Sequence, residues 1–230
     1  MTKRISRYIL SSVFILCTLS TMSQGSEREP LTTKGLRIGV DASYLLVHQL
    51  LPERTGWEVT GDYQWKRNWF AATEFGAEQV HVDRSNFKYD LQGGYFKLGF
   101  DYDVLKSEFT DDIVTVGLRY GVSRYKHRAA DITIENYWGP IQESIREESF
   151  NGNWVELVLG MKAELFFMKN VFIGWSIRSG IYLWGKRDTR MDAYVIPGYG
   201  SGEKNITITY NWTLSYRIPF KKEIISKPPK

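Results

Sequence analysis

Three histidines are the first residues to weigh for chemistry. His48, His81 and His127 each fall near the end of an alternating apolar–polar segment, where a side chain meets a loop. A histidine with a serine and an acid at such a rim is what acyl transfer or lipid hydrolysis needs, because the imidazole takes the nucleophile's proton. None of the three lies in a recognisable motif with a serine, and their spacing is not that of metal ligands. Asp101-Tyr102-Asp103 sets two carboxylates on one strand face, a pair suited to acid–base work or to Ca²⁺. The competing reading makes them members of an ion-pair network with Lys97 and Arg119. Two glycosylation sequons, at Asn205 and Asn211, fall inside a strand pattern and carry nothing; no glycine-rich phosphate loop is present. No catalytic residue, cofactor or metal ligand is therefore assigned.

The elements that would position these residues show a period of two. The clearest is Asn205–Phe220, where Ile206, Ile208, Tyr210, Trp212, Leu214, Tyr216, Ile218 and Phe220 alternate with Thr207, Thr209, Asn211, Thr213, Ser215, Arg217 and Pro219. Successive strand side chains point to opposite faces, so one face is apolar and the other polar. Seven more segments follow the same rule: Gly35–Val47, Gly56–Trp65, Trp69–Val82, Gly93–Val104, Asp112–Tyr125, Gly152–Phe167 and one carrying Val171 to Leu183. Their connections alternate between longer (48–55, 83–92, 126–151, 185–204) and shorter (66–68, 105–111, 168–170).

Alternation alone does not say which face is outside, since a soluble up-and-down barrel of the lipocalin kind has the same period turned inward. Volume argues for the apolar face being external, because the interior of eight strands is just wide enough for side chains and this aromatic set would overfill it. Glycine argues the same way. Gly39, Gly76, Gly99, Gly117, Gly121, Gly160, Gly174 and Gly180 share the polar face, where small residues make room on the concave side. Charge is the third argument. The apolar runs within these rows, such as Val114 to Val122, Phe96 to Val104 and Ile206 to Phe220, hold no Asp, Glu, Lys or Arg, whereas the polar rows hold Arg37, Asp41, Glu58, Asp62, Glu74, Glu78, Lys97, Asp101, Asp103, Arg119, Glu156, Lys162, Glu164, Arg178 and Arg217. A buried set of both signs persists when its members pair. The expectation is an all-β fold, an eight-stranded antiparallel up-and-down transmembrane barrel over residues 35–220, with these residues as a lumen ion-pair network. Trp65, Trp69, Phe167, Tyr216 and Phe220 at the turn ends, and Tyr44, Trp57 and Tyr210 nearer the loop ends, are expected in aromatic girdles.

Residues 1–23 read as a secretory signal: Lys3, Arg4 and Arg7 precede an apolar run, Tyr8–Leu19, and small residues lead to cleavage near Ser23–Gln24. Cys17 is the sole cysteine, and Leu16 before it is too large for lipoprotein cleavage. Removing the three signal cations lowers the formal charge from +4 to +1, so the basic balance gives no argument for nucleic acid. Past the signal no apolar run reaches the ~18 residues of a spanning helix. Residues 24–34 read as a periplasmic lead-in and 221–230 as a basic periplasmic tail.

On this pattern the chain resembles the small eight-stranded bacterial outer-membrane barrels of the OmpX, OmpA and OmpW type, and more closely an uncharacterised Bacteroidota barrel family. The resemblance covers roughly residues 35–220 and rests on strand pattern, loop asymmetry and the aromatic C-terminal strand. It implies a bacterial outer-membrane location with both termini periplasmic. Expected partners are outer-membrane lipid, lipopolysaccharide and the barrel-assembly machinery during insertion. The role implied is structural, or surface recognition through the long loops. Set against it are a rim-active lipid A hydrolase or acyltransferase and a narrow channel for small hydrophobic molecules.

Overall fold

The computed structural model describes residues 31–66, 68–84, 87–105, 111–134, 141–188 and 190–224. The expected signal, residues 1–23, lies outside them, as do 24–30 of the lead-in and 225–230 of the tail. Eight strands form the wall: β1 (Leu31–Asp41), β2 (Arg54–Lys66), β3 (Trp69–Arg84), β4 (Phe87–Asp103), β5 (Ile113–Ile134), β6 (Ile141–Glu164), β7 (Val171–Trp184) and β10 (Ile206–Ile224). A helix, α1 (Ser43–Leu50), follows β1, and a small hairpin, β8 (Val195–Ile196) with β9 (Gly200–Ser201), lies between β7 and β10. Every neighbouring pair is antiparallel, and β1 pairs with both β2 and β10, closing the barrel. Closure leaves no strand edge unpaired, which is what a β structure needs where no water is available to the backbone.

The faces follow the alternation. Val114, Val116, Leu118 and Tyr120 on β5, Leu157 and Leu159 on β6, and Ile208, Tyr210 and Leu214 on β10 are exposed on the outside. Arg37, Glu58, Asp62, Glu74, Lys97, Asp101, Arg119, Glu156 and Arg178 are buried inside, none more than 6% exposed. Close packing explains the glycines of this face: a Cβ on Gly121 would overlap the indole of Trp154.

Several expected boundaries are corrected. The first strand ends at Asp41 rather than Val47. Asp41 accepts the Ser43 N–H at 2.7 Å, an Asx turn that ends the strand, and the Leu-rich residues beyond form α1. The expected loops 83–92 and 126–151 are mostly strand, with β3 and β4 paired to Arg84–Phe87 and β5 and β6 paired to Ile134–Ile141. Their inner faces carry Val80, Val82, Tyr89, Leu91, Tyr125, Ala129 and Phe150, which close a second, apolar core above the charged lumen. β5 and β6 hold 22 and 24 residues, about twice what a tilted membrane strand needs, so this hairpin stands well clear of the apolar belt. At the other end, Leu31–Lys34 pair with Lys221–Ile224, so part of the expected lead-in and tail is barrel wall.

Candidate functional site: the plugged lumen

The polar rows meet in three layers. At the turn end, Arg37 pairs with Asp62 at 2.6 Å, Lys162 joins the same carboxylate, and Arg217 pairs with Asp111 at 2.9 Å and Glu164 at 3.8 Å. The Arg37 guanidinium also lies over the ring of Phe70 at 4.7 Å. In the middle, Lys97 lies 3.2 Å from Glu156, 3.3 Å from Glu74 and 3.9 Å from Glu58. Arg178 bridges Glu58 at 3.1 Å and Glu74 at 3.0 Å, while Arg119 reaches Asp101 at 2.8 Å and Glu74 at 3.4 Å. One carboxylate, Glu74, thus touches three cations. Beside this layer a cavity of about 40 Å³, lined in part by Asp62, Glu74, Asp101, Arg119 and Arg178, has room for about three waters.

The upper layer is hydroxylic. Tyr95 donates its hydroxyl proton to Glu58 at 2.7 Å, Tyr44 donates to Glu78 at 2.7 Å, and the two hydroxyls lie 2.9 Å apart. Arg54 completes the ring by pairing with Glu78 at 2.9 Å. Tyr44 is therefore a lumen residue rather than a girdle residue: the turn after Asp41 aims it inward, where its hydroxyl finds an acceptor. Two of the expected ion-pair members play a different part. Asp41 accepts from Ser43 and Asn211, and Asp103 accepts the Leu105 and Val114 N–H groups, so both carboxylates shape turns.

Above this ring the loop 185–204 folds into the barrel mouth. Val195, Ile196, Pro197 and Tyr199 are almost fully buried. Tyr199 packs on Trp154 and Tyr182 with ring centroids 5.6 and 5.8 Å away, and Gly198 donates its N–H to Glu78. The turn residues Pro197-Gly198 are visible in the sequence, but nothing local says that the loop turns inward. Trp154 was the readable signal, an indole on the charged face, and its N–H donates to Glu156 at 2.6 Å.

The remaining expected girdle residues lie on the outer face. Trp57, Trp65, Phe167, Tyr210, Tyr216 and Phe220 are exposed, and Trp69 is half-buried against Phe100 and Tyr102. The histidines do not converge. His48 is exposed on α1, and His81 points outward with Nδ1 2.6 Å from Asp90. His127 is not a solvated rim residue: it is buried among Tyr89, Tyr125 and Phe150. The Tyr89 hydroxyl is 3.2 Å from its Nδ1 and Asp188 of the plugging loop 3.6 Å from its Nε2. Burial, partly offset by Asp188, holds its pKa below the ordinary value. Among the described residues no three His, Cys, Asp or Glu side chains are grouped to hold a metal.

Solved structures similar to this chain include a major outer membrane protein of Thermus thermophilus, 12% identical over 81% of this chain and 100% of that one, with a TM-score of 0.48. The attachment invasion locus protein Ail of Yersinia pestis is 11% identical over 83% and 100% of the two chains, TM-score 0.40. Acinetobacter baumannii CarO2 is 13% identical over 82% and 99%, TM-score 0.40. No curated protein matches the sequence. The family described as domain of unknown function DUF6048 matches residues 5–223, nearly the whole barrel, and the chain belongs to that family.

Proposed function

We propose that this chain spans the bacterial outer membrane as a closed barrel, with both termini periplasmic, and acts at the cell surface in a structural or recognition role. The observation that carries the reading is the inversion of faces: an uncharged apolar belt on the exterior around a buried, paired, charged interior. A soluble barrel would hide the first and show the second. A Lys or Arg facing lipid near the midplane costs ~2–4 kcal/mol, which accounts for rows free of them. The β5–β6 hairpin, braced inside by apolar packing, then stands outside the cell as a rigid β surface.

Transport and catalysis find less support. The lumen is crossed by the Glu58–Arg178–Glu74–Lys97 layer and closed above by Tyr199 and Pro197. Among the described residues the polar contacts of the His127 ring are with Tyr89 and Asp188, neither of them a serine hydroxyl. Outer-membrane lipid and lipopolysaccharide are the neighbours the belt would meet, and the assembly machinery would handle the chain during insertion. The test uses single cysteines in the chain otherwise lacking them after the signal. Cysteine at Leu118 or Ile208 reacts with a lipid-phase reagent and cysteine at Gly117 or Gly160 does not; equal labelling rejects the membrane barrel.

A further inference from the structure

The outward face of β5 changes character within a few residues. Val114, Val116, Leu118 and Tyr120 are exposed and apolar or aromatic; Arg124, Lys126 and Arg128 follow on the same face and are all exposed. An aromatic pair marks the level of the change. The ring of Tyr120 lies 6.3 Å from that of Trp184 on β7, and its hydroxyl donates to Asn153 at 3.1 Å. Tyr and Trp, apolar in body and polar at the tip, settle where acyl chains give way to headgroups. Four residues further along a tilted strand, Arg124 stands about 10 Å above Tyr120, at the height of lipid phosphates.

The surroundings of Arg124 are those of an anion site. Across the sheet at its pairing level lie Gly94 on β4 and Asn151 on β6, with Ala77 beyond Gly94 on β3; none is charged. Gly94 leaves a notch in the wall at the position paired with Arg124, because a Cβ there would meet only the Gly76 carbonyl oxygen at 3.5 Å. The Arg124 side chain makes no ion pair or hydrogen bond within the described residues. Among the described residues Lys126 pairs with Glu147 at 3.1 Å, and both are about half-exposed, a solvated pair that a phosphate can displace. Arg128 is held by Asp90 at 2.8 Å, which also takes His81 at 2.6 Å, so the top of the row is neutralised and its foot is not.

We infer that Arg124, with Lys126 above it, binds the phosphate of an outer-leaflet glycolipid headgroup whose acyl chains lie on Leu118 and Tyr120 below. The inference rests on the outer-membrane reading. An arginine offers a fork of donors matched to phosphate oxygens, and a lysine adds a second point charge.

The experiment compares purified, folded protein with Arg124→Ala/Lys126→Ala in detergent micelles, titrated with fluorescent lipid A carrying its phosphates and with the dephosphorylated form. Wild type binds the phosphorylated lipid at least tenfold more tightly than the double variant, and a Lys204→Ala control behaves as wild type. Inorganic phosphate in excess leaves the lipid bound. Equal binding by the double variant, indifference to dephosphorylation, or displacement by inorganic phosphate each overturns the site. The heat-modifiable gel band of each sample reports the barrel separately, so a wild type that fails to insert strikes the membrane reading instead.

Discussion

Gly198 donates its backbone N–H to Glu78 Oε1 at 3.2 Å, tying the loop that follows β7 to the inner wall of β3. The backbone of Gly198 has φ +76, and a Cβ there would overlap the Tyr95 ring. A side chain at left-handed φ costs about 1–2 kcal/mol before any overlap is counted. Gly198→Leu therefore frees the plugging loop without opening the wall. Trypsin cutting after Lys186, Arg187 or Arg190 accelerates about 5–30-fold, while the heat-modifiable band is retained.

The same loop is expected to respond to pH through His127. The groups facing it are Tyr89, the Asp188 carboxylate and, beyond it, Arg190 and Glu148. Burial lowers the His127 pKa in the docked state, so the undocked state takes the proton more readily. Docking is then strongest above the ordinary histidine value of about 6.5 and weakens as pH falls through it toward the lowered one. Asp188 opposes this only by holding its own charge: burial would raise its pKa, but Arg190 keeps it low. Hydrogen exchange of residues 193–202 is faster at pH 5 than at pH 7.5, and His127→Gln removes the difference.

Glu74 is the lumen residue whose loss costs most. It faces Lys97, Arg119 and Arg178 together, and removing one partner leaves buried charge without compensation. Glu74→Ala lowers stability by roughly 3–5 kcal/mol, and Glu74→Gln, which keeps the volume and the acceptor oxygen, by less. Urea unfolding in lipid vesicles measures both.

Eight strands and a charged layer across the lumen give no porin-sized pathway. The protein in planar bilayers shows no large, stable conductance. Replacing 190–203 with a short Gly-Ser linker leaves it closed, because Lys97, Arg178, Glu58 and Glu74 still span the lumen below. A porin-like open state in the shortened variant would contradict this layer as the barrier.

Truncation after Phe220 is expected to weaken the barrel seam, since Lys221–Ile224 pair with Lys34–Leu31. The alternation of Asn205–Phe220 marks the outer face but not where pairing stops. Tyr216→Asp with Phe220→Asp has the larger effect, because it places charge on the outer face at the membrane boundary. The folded, fast-migrating band in outer-membrane fractions falls modestly for the truncation and severely for the double variant.

The sequence by itself determined the wall. A period of two is local, so each of Ile206 to Phe220 declares its face without reference to any other strand, and eight such segments imply closure. Charge-free runs such as Val114 to Val122, opposite rows bearing Arg119, Glu156 and Arg178, likewise declared inside and outside. The tertiary structure decided what fills and caps the barrel. Arg178 meets Glu58 across 120 positions of sequence, a pairing set by strand order and register rather than by neighbouring residues. The polar stretches 83–92 and 126–151 looked like loops because their outward rows are charged, yet their described residues are mostly strand, since their inner rows find an apolar core only once β3 to β6 stand side by side. Tyr44 and Tyr199 turn into the lumen for the same reason. Acceptors at Glu78 and an aromatic bed at Trp154 exist only inside the closed barrel, and a hydroxyl or ring goes where its partner is.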